Sequence, residues 1–359
     1  MELYVLDENF DTLAVIDRYE SLIWTDRYSA CGDFELYLTV EPEFLGLLKP
    51  DRYLWIRESE HTMVIETIKI NADAEEGDHL VVTGRSLESI LERRILWGQQ
   101  SYSGNFQNGV KRMLEDCIIS PYDPDRKIGN FRFEASNDPK VTELTISRQY
   151  TGDNLYDVVK DLCEENHLGF KVTLNGEGEF VFRLYAGTDR SYEQVENPYV
   201  VFSPKFENIL NSNYCASATD LKNVALVAGE GEGYSRTTNV AGEGKGLSRR
   251  ELFVDARDIS SDTEDGELPE STYLLLLRAR GLERLAEHTA TTAFEGEVEA
   301  TRLFRYGEDF FIGDTVQVAD GYGNEGSVFI SEVVISHSEE GFSIYPTFET
   351  FSKEGGSAT

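Results

Sequence analysis

The chain has 359 residues, which is enough for two or three domains that each bury a core. Its 33 Lys and Arg stand against 66 Asp and Glu, so the formal net charge is −33. Nucleic acid and anionic lipid are held electrostatically by clustered cations, so this balance excludes both as electrostatic partners. The acidity either keeps a large protein soluble or lines a passage that DNA crosses without being captured.

The sequence contains no targeting or membrane signal. The start, MELYVLDENF, is a strand pattern without a basic segment and an apolar core, so no signal peptide is predicted and synthesis in the cytoplasm is expected. The longest apolar run, YLLLLRAR, is too short to span a bilayer. The four cysteines, Cys31, Cys117, Cys163 and Cys215, form no CxxC pair, and we expect all of them to be reduced.

Residues 1–97 alternate between apolar and polar with a period of two. The segments TLAVID, YLWIRE, MVIETIKI and HLVVTGRS show this pattern and are separated by acidic or Gly-bearing turns. Such a series predicts a β-barrel or a β-sandwich. The segment SLESILERRI then predicts a short helix with Ser86 as its N-cap.

Residues 98–197 have the helical period instead. NFQNGVKRMLEDCI and TGDNLYDVVKDLCEENHLG each gather their apolar residues on one face. Asp153 is predicted to cap the second helix and Gly169 to end it. The strand patterns GFKVTL and EFVFRLY follow, joined by the turn NGEG. This part is predicted to be an α+β domain.

Residues 198–350 return to the β pattern, with a helical insertion near 269–289, and residues 351–359 form a tail. Near the end, VFISEVVI repeats the apolar pattern of MVIETIKI, and Glu339-Glu340-Gly341 corresponds to Glu75-Glu76-Gly77. This similarity predicts an internal repeat of two β domains, although two amphipathic hairpins can also agree by chance. The predicted fold class is α+β, mainly β, with two related β domains around an inserted α+β domain.

The segment NVALVAGEGEGYSR places a buried strand before Gly229, Gly231 and Gly233, as in a phosphate-binding loop. Glu230 and Glu232 would repel a phosphate, no Walker residues follow, and the next segment, ELFVDARD, alternates like a strand. The glycines therefore predict a hairpin or barrel corner with an acidic tip, and not a nucleotide site.

No catalytic, cofactor-binding or metal-binding residue is predicted. The five histidines are scattered, without an HExxH pair, and there is no G-x-S-x-G elbow. The acidic loops NADAEEGD and SSDTEDGE lack the spacing of a calcium loop. With 66 acidic residues, some carboxylate pair always has the separation that glycoside cleavage needs, so no single pair is informative.

The residues of WTDRY and a following aromatic are candidates for an interface anchor, and they fit equally well as a plug at the end of a barrel. The acidic hairpin is a second candidate contact. The candidate interface residues are Trp24, Arg27, Tyr28, Phe34, Glu230, Glu232 and Arg236.

The order of SLIWTDRYSACGDFELYL, YLWIRESEHTMVIETI, VVTGRSLESILERRI and NVALVAGEGEG resembles the tail-tip hub proteins of siphophages and prophages of Gram-positive bacteria. These proteins are in turn similar in architecture to the baseplate hubs of myophages. The resemblance runs from Met1 to about Phe351, and it depends on several moderate motifs in order.

The resemblance implies a homotrimer with two tail-tube-like β-barrel domains in each chain, which together place six similar domains around the tail axis. The implied partners are the distal tail protein, the tail tube, the tape-measure protein and a spike, fibre or receptor-binding protein. The chain would belong to the tail tip of a phage or of a headless tail-like particle, without specific nucleic-acid binding or membrane insertion. Because SKEGGSAT follows the last strand directly, we expect wall-degrading or receptor-binding parts on partner chains. The alternative is a β protein that binds or degrades cell-wall polysaccharide.

Overall fold

The structure is a computed structural model that describes residues 1–73, 77–263, 266–298, 303–339 and 341–349. Glu75, Glu76 and Glu340 of the predicted acidic turns, and the predicted tail 351–359, lie outside the described residues. The chain divides into two compact units, one of residues 1–213 and 294–349, the other built on residues 214–293. The predicted boundaries at 97 and 197 both lie inside the first unit, and as domain limits they stay predictions.

The first part of the chain forms seven strands and one short helix, as its period-two alternation predicts. They are β1 (Leu3–Leu6), β2 (Thr12–Ile16), β3 (Ser21–Arg27), β4 (Asp33–Thr39), α1 (Pro42–Leu47), β5 (Tyr53–Ile56), β6 (Thr62–Asp73) and β7 (Gly77–Ser86). A 3₁₀ helix, Leu87–Arg93, follows β7. Ser86 is the N-cap residue of this helix, as predicted, but its hydroxyl caps no helical amide and accepts the Gly32 N–H at 2.7 Å instead.

The middle part is the α+β arrangement that the change of period predicts. Its elements are β8 (Gln99–Asn105), α2 (Phe106–Leu114), β9 (Phe131–Glu134), α3 (Pro139–Thr142), β10 (Thr145–Thr151), α4 (Leu155–Glu165), β11 (Gly169–Leu174) and β12 (Phe180–Tyr185). Asn154 caps α4 by accepting the Tyr156 N–H at 2.9 Å, whereas Asp153 accepts the Thr151 N–H in the preceding turn. The predicted cap is thus wrong by one residue, and Gly169 begins β11 and does not end the helix.

The rest of the chain is mainly β with one long helix. Its elements are β13 (Asp189–Arg190), β14 (Val201–Phe202), β15 (Ile209–Ser217), β16 (Val224–Ala228), β17 (Thr238–Gly242), β18 (Glu251–Asp255), β19 (Asp262–Thr263), β20 (Gly266–Glu267), α5 (Glu270–Ala286), β21 (Thr291–Val298), β22 (Thr315–Ala319), β23 (Glu325–Ser338) and β24 (Gly341–Glu349). The helix α5 lies where the sequence predicts a helix, near 269–289, and its status as an insertion into a β domain stays a prediction. In the described part of the chain, no helix is long and apolar enough to cross a membrane.

One large sheet organises the first unit. Its strand order is β15-β21-β24-β23-β3-β4-β7-β6-β5-β1-β2, with β13, β14 and β22 branching beside β23. β15 and β21 carry the chain out of this unit and back into it. The order contains the same succession twice, because β3-β4-β7-β6-β5 corresponds to β15-β21-β24-β23-β22.

The two meanders β5–β6–β7 and β22–β23–β24 also share their register. Tyr53 lies opposite Val64 in the first meander, and Thr315 lies opposite Phe329 in the second. Each long middle strand then has a β-bulge of one extra residue, Glu66 in β6 and Ser331 in β23. These positions coincide when MVIETIKI is aligned with VFISEVVI. The two meanders thus repeat one register, as the similarity of their sequences indicates, and their assignment to two related β-barrel domains stays a prediction.

The backbone before each meander repeats as well. Asp51 donates its N–H to the Ile65 carbonyl at 2.9 Å, and Gly313 donates to the Ile330 carbonyl at 2.8 Å. Both donors have a positive φ, 63° at Asp51 and 86° at Gly313. A left-handed residue at the same point of two meanders is a backbone feature that amphipathic alternation alone does not require.

The first unit contains two hydrophobic clusters. The inner residues of both meanders and of β3 and β4 fill one cluster, including Trp24, Phe34, Ile335 and Phe348. The other packs the 3₁₀ helix against α2, α4 and β11, with Leu91, Phe106 and Phe170 fully buried. The fold is mainly β with several sheets, as predicted.

The second unit has a small core of its own. Its sheet has the order β17-β16-β18, and α5 packs on one face through Tyr273 and Leu277. Gly281 lies on the same face of α5, where a Cβ would come within 2.6 Å of side chains on β16 and β17. The small residue therefore allows the close approach of helix and sheet.

Candidate functional site

The two repeats are joined edge to edge by an antiparallel ladder between β3 and the second half of β23. The ladder runs from Arg27 opposite Glu332 to Ser21 opposite Ser338 and begins one residue after the bulge of β23. Trp24 lies opposite Ile335, and both side chains are fully buried. We call this ladder the seam. It makes one continuous sheet of the two repeats.

Arg27 holds one end of the seam. Its guanidinium contacts Glu332 at 2.6 Å and Asp33 at 2.5 Å, and it donates to the Cys31 carbonyl at 3.1 Å. The side chains of Arg27 and Glu332 are about one third exposed, so solvent weakens the attraction between them. The guanidinium thus joins β3, β4 and β23 by charge-assisted hydrogen bonds.

Tyr28 connects the seam to the α+β part of the same unit. Its N–H donates to the carbonyl of the bulge residue Ser331 at 3.0 Å. Its hydroxyl donates to the His167 carbonyl at 3.1 Å and accepts the Gly187 N–H at 3.1 Å. Burial raises the pKa of the Tyr28 hydroxyl, so this group stays a neutral hydrogen-bonding group at physiological pH.

Three ionisable side chains, Asp26, His61 and Glu88, are buried together behind the seam. His61 Nδ1 lies 3.3 Å from a carboxylate oxygen of Glu88. Glu88 accepts the Val172 N–H at 2.7 Å, and Asp26 accepts the Tyr306 hydroxyl at 2.9 Å. The cluster therefore ties together both repeats and the α+β part.

Burial by itself lowers the pKa of His61, but the charges of Asp26 and Glu88 outweigh it and raise the pKa to about 9. Burial raises the pKa of Asp26, against the opposing charge of His61. For Glu88, burial favours the neutral acid, but the charge of His61 holds its pKa below the usual range. At neutral pH the imidazolium thus neutralises a buried carboxylate, as a structural ion pair requires.

The structure distributes the predicted interface residues over three environments. Trp24 and Phe34 are buried in the core of their own chain, with ring centroids 6.0 Å apart. Neither ring is exposed within a single chain, and a role of these two residues in an interface or as a barrel plug stays a prediction. Arg27 and Tyr28 make the internal contacts described above. Their contact with a second chain stays a prediction.

The acidic glycine segment is a β-hairpin, as predicted, between β16 and β17. Arg236 closes it by donating to the carbonyls of Ala228 at 2.8 Å and Gly229 at 2.9 Å. Glu230 accepts the Ser261 N–H at 3.1 Å, and Glu232 is exposed. A single 3₁₀ turn, Gly233–Ser235, follows the glycines and leads into β17, where a phosphate loop would need an α-helix. A role of these residues in partner binding stays a prediction.

Sequence reasoning missed an open strand edge on β6. After the bulge, Thr67–Asp73 pairs with β7 on one side, and no strand of the described residues pairs on the other. Ile70 lies on this stretch and is 52% exposed. The signal in the sequence was the repeat. MVIETIKI has the same apolar pattern as VFISEVVI, and the strand that contains VFISEVVI is covered by β3.

Among the described residues, no group of three or more His, Cys, Asp or Glu has the arrangement of a metal site. The side chains of Asp26, His61 and Glu88 are buried, with His61 close to Glu88 and with both carboxylates accepting hydrogen bonds from neighbouring elements. This arrangement is suited to holding domains together.

Comparison with solved structures places this fold among phage tail proteins. The 43 kDa tail protein of prophage MuSo2 from Shewanella oneidensis is 12% identical, with a TM-score of 0.60 over 98% of each chain. The tail protein from Neisseria meningitidis MC58 is 14% identical, with a TM-score of 0.59 over 97% of this chain and 96% of that one. Prophage tail protein gp18 from Listeria monocytogenes EGD-e is 14% identical, with a TM-score of 0.55 over 99% and 96%.

The chain belongs to the Siphovirus ReqiPepy6 Gp37-like protein family, whose model matches residues 2–348. No curated protein matches it. The family match covers nearly the whole chain and confirms the predicted relationship to siphophage proteins, and the fold is that of the phage tail proteins compared above.

Proposed function

We propose that this protein is the hub of a tail tip, in which three chains form a ring around the tail axis. Two repeats in each chain then supply six similar β domains, which match the sixfold tail tube or distal tail ring on one side. Three chains match a threefold spike or fibre on the other. The observation that carries the proposal is the seam, which already joins two equivalent repeats in one sheet within a single chain.

The role is mechanical and needs no catalysis. The distal tail protein, tail tube and tape-measure protein are the proposed partners on the tube side, and a spike, fibre or receptor-binding protein is the proposed partner on the other. The charge of −33 supports an acidic lumen that DNA or an effector crosses without being captured. In the ring, each repeat would complete a tail-tube-like barrel. The protein would thus reside in the virion tail tip.

Electron microscopy of the purified chain at high concentration, classified without imposed symmetry, tests this proposal. Threefold rings with a central hole are expected. Compact monomers that cleave or bind purified cell walls would overturn it in favour of the polysaccharide alternative. Electron microscopy of the Ile70→Lys variant separates assembly from folding. Ile70 is half exposed within a single chain, so this substitution should leave the fold of the chain intact.

A further inference from the structure

The two repeats differ at one edge, and this difference identifies a docking site for a second copy of the chain. Counting from the equivalent bulges, Thr67–Asp73 of β6 corresponds to 332–338 of β23. The β23 stretch is covered by β3 in the seam. The β6 stretch has no strand on the corresponding side within the described residues.

The exposure of equivalent side chains on β6 and β23 shows the same difference between the two edges. Ile70 corresponds to Ile335, five residues after Ile65 and Ile330 respectively. Ile335 is fully buried opposite Trp24, whereas Ile70 is 52% exposed. An apolar residue on an open, regular strand edge is a template for strand addition.

The complementary strand is present at one end of the sheet. β15 corresponds to β3 in the repeated strand order, and it is the terminal strand of that order, next to β21. Among the residues that the structure describes, one chain thus has an acceptor edge without its strand and a donor strand without its acceptor. Within the chain, β3, the donor strand of the first repeat, already pairs with β23, the acceptor strand of the second repeat.

We propose that β15 of one copy pairs antiparallel with Thr67–Asp73 of the next copy, and so repeats the seam between chains. This inference rests on the proposed ring, to which it assigns the contact that closes it. A donor strand at one end of the sheet and an acceptor on the open half of β6 are different surfaces, so their pairing is a head-to-tail interface. Such an interface forms a closed ring when the rotation between copies allows it. The backbone carbonyl of the bulge residue Glu66 would then accept an N–H of the incoming chain, as the carbonyl of Ser331 accepts the Tyr28 N–H.

Disulfide trapping tests the contact, because β15 carries a natural probe. Cys215 is exposed, and Cys31, Cys117 and Cys163 are buried. Single cysteines are placed along the acceptor edge in the full chain, and each variant is oxidised at the concentration used for microscopy. The variants are Thr67→Cys, Ile68→Cys, Lys69→Cys, Ile70→Cys and Asn71→Cys.

At least one variant should form an intermolecular disulfide, since antiparallel pairing brings Cα atoms of facing residues to about 5 Å, within disulfide range. The covalent ladder on a denaturing gel should end at three copies. Cys215→Ser in the same background should abolish it. Tyr122→Cys, at a fully exposed position of the α+β part, is the matched control and should give no specific ladder.

The outcomes separate the pairing from the ring. Threefold rings in which none of the five variants is trapped overturn the pairing and leave the hub intact. Trapped copies that build open chains, or rings of another number, support the pairing and overturn the threefold hub. A chain that stays monomeric at that concentration, with no variant trapped, overturns the pairing.

Discussion

Arg27 of β3 and Glu332 of β23 are separated by 305 positions in the sequence, yet their side chains meet at 2.6 Å across the seam. The contact marks the register in which one repeat joins the other. A shift of one residue would turn every side chain of the seam to the opposite face, so the buried side chains allow only this register. Its strength is limited by solvent, since both side chains are about one third exposed.

Removal of this ion pair should loosen the seam modestly. We expect a coupling of roughly 0.5 kcal/mol between Arg27→Ala and Glu332→Ala in a double-mutant cycle, measured by urea unfolding. Arg27→Ala should cost more than Glu332→Ala, because Arg27 also contacts Asp33 and the Cys31 carbonyl. Equal costs for the two single variants would contradict this assignment.

Gly313 should tolerate no side chain. Its φ is +86°, and a Cβ would come within 2.2 Å of the Tyr28 ring. We expect Gly313→Ala to lower the free energy of unfolding by about 3 kcal/mol, from backbone strain together with overpacking. Gly321→Ala is the matched control, since a Cβ there meets nothing within 4 Å. Chemical unfolding of both variants checks the difference, and a Gly313→Ala variant as stable as the control would refute it.

The buried His61 should make stability fall in alkali. Its pKa is raised to about 9 in the folded chain and is about 6.5 when unfolded, so the folded state holds the proton more tightly. The stabilisation is complete below pH 6.5 and is lost as the pH rises through about 9. The free energy of unfolding should therefore decline across this window.

A His61→Gln variant provides the comparison. It should be less stable by about 3 kcal/mol at neutral pH, because Asp26 and Glu88 then share a buried site without a cation. Its stability should change less between pH 6.5 and pH 9 than that of the natural chain. Parallel pH slopes for the two proteins, measured by urea titration at each pH, would show that His61 is not the titrating group.

The elements of this fold could be predicted where one sequence period dominates. The alternation in MVIETIKI and VFISEVVI identified two strands, their repeat and the class of mainly β protein, and the change of period located α2 and α4. The family resemblance added the phage tail. These features are local patterns, or an order of local patterns, and a single sequence carries them.

The sequence patterns did not show features that depend on which elements the tertiary fold brings together. Ser86 has the residue type of a helix cap, yet the Gly32 N–H takes its hydroxyl, because β7 brings the two together. Trp24 and Phe34 are suitable aromatics for an interface, but only the tertiary fold decides that they face the core. The cluster of Asp26, His61 and Glu88 is likewise invisible in the sequence, since its members come from separate elements.

The second unit offers a test of which face of α5 carries its stability. Leu277 is fully buried against the sheet of that unit, and Leu275 on the same helix is 66% exposed. Leu277→Ala should cost about 3 kcal/mol of local stability, because it removes buried methyl groups and leaves a cavity. Leu275→Ala should change the local stability by less than about 0.5 kcal/mol, as exposed substitutions usually do.

Hydrogen exchange at the amides of β16, which pairs with both other strands of this sheet, measures the local opening free energy in each variant. Faster exchange in Leu277→Ala and not in Leu275→Ala is the expected result, since Leu277 packs against the sheet and Leu275 is exposed. If both substitutions accelerate exchange equally, the exposed face of α5 is covered in solution. The exposed Leu275 would then belong to a contact with a partner chain, and the helix would have two buried faces.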